Sequence, residues 1–182
     1  MPKQLIRIVF IFAAFAAYFT VKYIPRQTSE AAEGRFFYVS KAIDGDTLRL
    51  STGEDVRLIG VDTPESRYNS KLERDSQKSH KDRDAILKMG REASGFTSRL
   101  VEGKRVKLVF DVGKRDRYKR LLAYAYLEDG TFVNGVIIGE GYAQSMTIPP
   151  NIKHAKTFLK LEREAREKGK GFWKDNTEYK IF

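Results

Sequence analysis

Five short strand-like runs, helical periodicity in three places and one uncharged stretch near the N-terminus predict an α+β chain. The expected architecture is a small closed β-barrel of five strands with three α-helices, preceded by an N-terminal hydrophobic helix. Residues 36–43, 47–50, 56–61, 106–110 and 121–127 carry the strand signal, with Asp44-Gly45 and Thr52-Gly53 as tight turns between runs. Residues 89–101 place Ala93, Phe96 and Leu100 at helical spacing, and Gly103 follows as a stop. A second helix at 132–140 is weaker, because Gly135 and Gly139 each cost up to about 1 kcal/mol relative to alanine. In the last helix Asn151 is the expected cap, and Ile152, Ala155, Phe158, Leu159 and Ala165 form the apolar face. Glu162–Arg166 and Glu164–Lys168 pair at i,i+4, and Gly169 ends it. Five short strands with interspersed helices, in too few residues for a sandwich, suit a small closed barrel of the OB type. Residues 70–84 are almost wholly polar, with Leu72 alone apolar, and read as a mobile loop.

A length of 182 residues leaves room for a leader and one domain. Forty-one percent hydrophobic residues, with 12% aromatic, can supply a globular core. The formal net charge is +10, and residues 1–34 contribute only Lys3, Arg7, Lys22 and Arg26 against Glu30 and Glu33. Most of the surplus therefore sits on the domain, where it raises the local concentration of polyanions such as nucleic acid or an anionic membrane surface. The absence of cysteine excludes disulfides, thiolate metal sites and cysteine nucleophiles together. His80 and His154 lie far apart and read as ordinary surface residues, so chemistry must rest on carboxylates, arginines and a hard metal.

Residues 8–21 carry no charge and follow Lys3 and Arg7, the layout of a secretory signal or a signal anchor. As a helix these fourteen residues span about 21 Å, short of a hydrocarbon core of about 30 Å. The span from Leu5 to Ile24 would suffice if Arg7 and Lys22 snorkel to the interfaces. The nearest small residues suited to cleavage are at Ser29-Glu30-Ala31, with Lys22, Tyr23, Ile24, Pro25 and Arg26 directly after the apolar run, so an uncleaved anchor is expected ahead of a secreted form. A buried N-terminal helix is harder to place, because it lacks a polar face. The expected organisation is a signal peptide or membrane anchor over 1–27, a linker over 28–35, the barrel domain over 36–175 and a tail over 176–182. The location is extracytoplasmic, membrane-anchored or secreted, and the chain is expected to be a monomer.

Two runs concentrate carboxylates at strand ends, Ile43-Asp44-Gly45-Asp46-Thr47 and Val61-Asp62-Thr63-Pro64-Glu65. Either run alone reads more simply as turn chemistry. Together, Asp44, Asp46, Asp62 and Glu65 repel one another unless something positive joins them, and oxygen ligands suit calcium or magnesium rather than zinc. Arg57 lies within an otherwise apolar strand, a costly place for a charge unless it faces a cleft or water. Arg120 opens the fifth strand after a basic turn, and an arginine fork matches two phosphate oxygens at once. Metal and arginines of this kind would meet the charge that builds on a phosphodiester as water attacks phosphorus, with Glu65 orienting or deprotonating the water.

At these residues the chain resembles the staphylococcal nuclease (thermonuclease) family. The resemblance runs through Lys41-Ala42-Ile43-Asp44-Gly45-Asp46-Thr47-Leu48, Arg57-Leu58-Ile59-Gly60-Val61-Asp62-Thr63-Pro64-Glu65, Arg117-Tyr118-Lys119-Arg120-Leu121-Leu122-Ala123-Tyr124 and Gly171-Phe172-Trp173. It implies one calcium ion bound by Asp46, Asp62 and the carbonyl of Thr63. It also implies Glu65 as proposed general base and Arg57 and Arg120 on the phosphate. Arg117 and Tyr118 would contact the substrate's terminal phosphate, and Asp44 would be a nearby acid that is not a ligand. The implied activity is sugar-non-specific cleavage of DNA and RNA to 3′-phosphate ends. Two features depart from the family. Gln144-Ser145-Met146-Thr147-Ile148-Pro149-Pro150 stands where a tyrosine pair is expected, with Tyr142 as a substitute or a core residue. The loop after Glu65 is longer, with Lys71, Arg74, Lys78, Lys81 and Arg83 in it. Two other classes compete with an enzyme: a non-catalytic binding module, which usually lacks the acids or arginines, and a membrane-tethered lipid-binding protein, which would leave the constellation idle.

Overall fold

The computed structural model of the protein describes residues 34–79 and 82–174; the expected leader, His80, Lys81 and the tail lie outside them. Five strands close into a barrel: β1 (Phe36–Ala42), β2 (Thr47–Leu50), β3 (Asp55–Leu58), β5 (Arg105–Val109) and β6 (Leu121–Leu127), in the spatial order β1-β2-β3-β6-β5. Every neighbouring pair is antiparallel except β3 and β6, which run parallel with Val56 opposite Leu121 and Leu58 opposite Ala123. β1 reaches both neighbours because it bends. Phe36–Tyr38 pair with β5, and after a register shift between Val39 and Lys41 the strand pairs with β2. The extra residue, Ser40, leaves two successive exposed positions in an otherwise alternating strand, as a bulge does.

The barrel interior is filled by alternate side chains, among them Val39, Leu48, Leu50, Val56, Leu58, Val106, Leu108 and Leu121, all essentially inaccessible to solvent. This closed five-stranded barrel with helices fits the expected OB-type α+β fold, and the strand boundaries agree to within a residue or two save at one place. The expected run 56–61 breaks after Leu58, because Gly60 takes a left-handed φ of 79° that ends the strand. Val61–Asp62 then form a separate short strand, β4, paired with β7 (Gln144–Ser145).

Four α-helices are described rather than three: α1 (Ser70–Ser79), α2 (Arg83–Val101), α3 (Val133–Gly139) and α4 (Ala155–Glu167). The additional helix, α1, occupies the stretch expected to be a mobile loop. Its one apolar residue, Leu72, is buried against Ile86 and Leu87 of α2. The Asn69 side chain caps it by accepting from Leu72 N at 2.9 Å. Because its surface is otherwise charged, periodicity could not reveal the helix. α2 begins six residues before the expected start and buries Ile86, Leu87, Ala93 and Val101 along one stripe.

α3 projects Asn134 into the core. Its amide donates to Ile59 O at 2.9 Å and accepts from Ala125 N at 2.9 Å, tying the end of β3 to β6. α4 carries the expected Glu162–Arg166 and Glu164–Lys168 pairs, at 2.6 and 4.0 Å, and is followed by Gly169 at a φ of 58°. Its N-terminal expectations are corrected. Asn151 does not cap it, since its side chain forms two hydrogen bonds with Gly113, accepting from N at 2.7 Å and donating to O at 2.9 Å. Ile152 and Leu159 are exposed, and Phe158 and Ala165 are the buried residues of the face. His154 is likewise not a plain surface residue. Its ring stands edge-on to Tyr124 at 4.5 Å, and burial, followed by the charge of Lys153, pulls it below the ordinary histidine value. None of the described helices is long and apolar enough to cross a membrane.

Asp111 joins the barrel to the segment leading into α4, accepting hydrogen bonds from Lys153 N at 3.0 Å, Tyr124 Oη at 2.9 Å and Val112 N at 2.9 Å. Burial acts to raise this carboxyl, but the bonds from Lys153, Tyr124 and Val112 outweigh it and hold the group below the usual carboxylate range. Stabilisation by Asp111 is therefore complete above the unfolded value of about 3.9 and is lost as pH falls through the depressed folded value. The group is partly buried and still screened by solvent, so the difference in unfolding free energy between wild type and Asp111→Asn should be at most about 1 kcal/mol near neutrality. It should shrink below about pH 4. Denaturant titrations at a series of pH values measure it; a difference that grows in acid would contradict the assignment.

Candidate functional site

The site is organised by one guanidinium. In β3, Arg57 alternates with the core residues Val56 and Leu58, so its side chain leaves the barrel's outer face. It is nevertheless only 14% exposed, because acids from two other elements close on it. Nη1 lies against Oδ2 of Asp46, from the turn between β1 and β2, and Nη2 lies 3.2 Å from Oδ1 of Asp62, in β4. Both acids are buried. Burial pulls the Arg57 guanidinium below the ordinary arginine value; the charges of Asp62 and Asp44 push it back up, and nearby Arg120 adds to the lowering. Arginine stays protonated in such settings, so the three side chains form a charged triad. Asp44 serves the turn, its Oδ1 accepting from Asp46 N at 3.2 Å.

Two threonines extend the triad. Thr63 donates both its N–H, at 3.3 Å, and its hydroxyl, at 3.2 Å, to Asp46 Oδ2. Thr47 donates its hydroxyl to Asp46 Oδ1 at 3.0 Å and accepts from Arg120 Nη1 at 3.4 Å. Arg120 is in turn aimed by Asp116, which accepts from its Nε at 2.7 Å and its backbone N at 3.0 Å. Tyr118 extends the array outwards. Its ring lies 5.5 Å from the Arg120 guanidinium and 4.8 Å from that of Arg117, whose Nη2 donates to the phenol oxygen at 2.8 Å. Arg57, Arg117, Tyr118 and Arg120 line a cleft of about 640 Å³, as do Met146, Ile148 and Pro149. Arg115 instead reaches Glu54 at 3.1 Å and the Lys119 carbonyl at 2.7 Å, closing the basic turn.

Glu65 is half-buried and held from behind. Asn69, whose carbonyl oxygen caps α1, donates its Nδ2 to Glu65 Oε2. The backbone of Glu65 sits directly on α2 at Gly90: a Cβ there would lie 2.1 Å from the Glu65 carbonyl oxygen and 2.6 Å from Ser66 N. Only glycine allows this approach.

The structure thus gathers Asp46, Asp62, Thr63 and Arg57 into one cluster and links Arg120 to it through Thr47. Arg117 and Tyr118 stand at the cleft, and Glu65 is carried by the segment that follows Asp62 and Thr63. Sequence reasoning passed over Thr47, Asp116, Asn69 and Gly90 as site residues. Thr47 lies inside a quoted motif and Asp116 stands four residues before Arg120, but Gly90 sits in an ordinary helical pattern that gives no hint of its neighbour. In place of the expected tyrosine pair, Gln144 and Ser145 form β7. Tyr142 belongs to the core, its ring stacked on Phe96 at 4.3 Å. Of the basic residues in the inserted stretch, Arg83 pairs with Glu73 at 2.8 Å and Arg74 is exposed.

Among the described residues, no group of three or more histidine, cysteine or acidic side chains converges as a metal site. The implied calcium set needs fewer: Asp46 and Asp62, two buried carboxylates already brought to one guanidinium, with the adjoining Thr63 carbonyl. An oxygen-only donor set of this kind fits a hard cation.

Comparison with known proteins identifies the family. The family model described as staphylococcal nuclease homologue matches residues 55–175. The thermonuclease of Staphylococcus intermedius is 34% identical over 151 residues, covering 81% of this chain and 82% of that protein. The thermonuclease of Staphylococcus hyicus is 31% identical over 145 residues, 78% of each chain. The SPbeta prophage-derived endonuclease YokF of Bacillus subtilis (strain 168) is 32% identical over 143 residues, 76% of this chain and 44% of its own longer one. With its barrel, its triad of Asp46, Arg57 and Asp62, and a match spanning two thirds of its length, the chain belongs to the staphylococcal nuclease family.

Proposed function

We propose that this protein is a calcium-dependent nuclease that hydrolyses phosphodiester bonds of both DNA and RNA and leaves 3′-phosphate ends. The names of its relatives, thermonucleases and an endonuclease, support the reaction class. The observation that carries the reading is the arrangement around Arg57: two buried carboxylates, two threonines and a second arginine joined by contacts in one cleft wall. Asp46, Asp62 and the Thr63 carbonyl would hold the ion, which when bound supplies Lewis-acid stabilisation of charge on the phosphate.

The chain's own groups account for the rest. Arg57 and Arg120 present guanidinium donors to the equatorial phosphate oxygens, where negative charge grows as water adds. Asp116 holds the Arg120 Nε, so its remaining nitrogens face Thr47 and the cleft. Glu65 accepts the proton of the attacking water, with Asn69 holding its carboxylate and the Gly90 contact its backbone. Arg117 and Tyr118 bind the terminal phosphate at the outer end of the cleft. A monomer outside the cytoplasm, held by the N-terminal segment or released from it, completes the proposal, and millimolar extracellular calcium suits a site with two carboxylates.

The full chain should degrade single-stranded DNA and RNA in millimolar calcium and stop on addition of a chelator. Glu65→Gln and Arg120→Ala should each lower kcat by about 10²–10⁴ while circular dichroism stays unchanged. Cleavage that survives chelation and both substitutions would refute the mechanism. Gly90→Ala should pry the Glu65 backbone off α2. A displacement of about 1 Å in a catalytic group is expected to cost on the order of 10²-fold in kcat. Steady-state kinetics would show this as a fall in kcat larger than any change in KM, and an unaltered kcat would mean that the contact does not position Glu65.

A further inference from the structure

A second cluster of cations lies on the same outer face of the barrel, beyond the triad. Lys41, Arg49 and Arg67, with Ile43, line a pocket of about 190 Å³. Its position follows from strand register. Thr47 pairs with Arg57, and two residues along the same strand Arg49 pairs with Asp55 on one side and Lys41 on the other. Side chains two apart on a strand share a face, and opposite residues in antiparallel strands do too. Arg49 and Lys41 therefore sit one strand step, about 6.7 Å, from the Thr47–Arg57 pair. Arg67, two residues after Glu65, completes the lining.

Charge in this pocket is only partly balanced by nearby acids. Asp55 neutralises Arg49 and holds its fork in place, with Arg49 Nη2 donating to Asp55 Oδ2 at 3.1 Å. Glu102 lies close enough to feel Lys41, but its carboxylate is engaged by Ala42 N at 2.7 Å. Arg67 is exposed and pairs with no acid among the described residues. The residual cations face a small concavity continuous with the face that carries Arg57 and Thr47.

We infer that Lys41, Arg49 and Arg67 form a second phosphate subsite, which takes a phosphodiester neighbouring the scissile one on the same strand. This deepens, and rests on, the nuclease reading. One strand step is a separation that a single extended nucleotide can bridge between its own two phosphates. The subsite would bind backbone without reading bases, since phosphate contacts position a strand and carry no sequence information. It would make the enzyme favour polymers over dinucleotides, with the gain in KM rather than kcat, because the contact is the same before and during reaction.

The test pairs Lys41→Gln/Arg67→Gln with a charge-matched control on α4, Lys156→Gln/Arg163→Gln, in the full chain. On a long single strand the subsite variant should show KM raised about 5- to 20-fold with kcat kept. On a dinucleotide holding only the scissile phosphodiester its kcat/KM should equal wild type. In parallel, binding of a fluorescent single-stranded oligonucleotide is measured in chelator by anisotropy across salt concentrations. Loss of one phosphate contact should reduce the slope of log Kobs against log salt by about 0.7, and the control pair should leave it unchanged. Equal losses on polymer and dinucleotide, or a salt slope no different from the control's, would overturn the subsite. If wild type cleaves neither substrate, the nuclease reading falls by itself, and the binding slopes still decide whether the pocket holds phosphate.

Discussion

The structure around the cleft depends on keeping one guanidinium, Arg57, charged and nearly buried. A buried ion pair contributes little net stability, but removing one partner leaves an uncompensated charge and costs about 3–5 kcal/mol. Asp46, Asp62 and Arg57 therefore stand or fall together, although they come from a turn, a two-residue strand and a barrel strand. This requirement accounts for local features that would otherwise be arbitrary. β4 presents Asp62 and leads directly into Thr63, and its pairing with β7 gives that presentation a backbone frame. The buried amide of Asn134 fixes the Ile59 carbonyl just before it. The triad is thus braced from both the barrel and the α3 side.

A second level of control lies in side chains that touch the functional groups without belonging to them. Asp116 sets the direction of Arg120, Thr47 couples Arg120 to Asp46, and Asn69 bonds Glu65 while capping a helix. Each acts through a short polar contact, so its effect is directional. The cation pocket at Lys41, Arg49 and Arg67 uses the same sheet face as Arg57 but a different principle. Its contribution is cumulative charge, which tolerates imprecise geometry and responds to salt.

Much of this was legible in the sequence because the barrel strands alternate cleanly and the acids cluster in two short runs. Arg57 stood out as a charge amid apolar residues, and the structure gives the reason: it meets Asp46 and Asp62. What was not legible depended on contacts between distant segments. α1 has one apolar residue, and its burial depends on Ile86 and Leu87, which periodicity cannot pair with Leu72. Asn151 has an ideal capping identity, yet it bridges Gly113, where two hydrogen bonds to one backbone unit outcompete a single helix cap. Gly135 and Gly139 weakened the expectation for α3, but its helix forms regardless because Val133, Ile137 and Ile138 are fully buried. Tertiary burial overrides local propensity at each of these places.

The seating of Glu65 on Gly90 has a wider consequence. With its backbone anchored there, Glu65 takes its position from α2, and α1 adds only one buried apolar side chain, Leu72. A change confined to the solvent-facing side chains of α1, such as Arg74, therefore acts at a distance from the Glu65 backbone, which α2 holds. In this fold, surface chemistry can diversify a few residues from Glu65 without passing through its backbone.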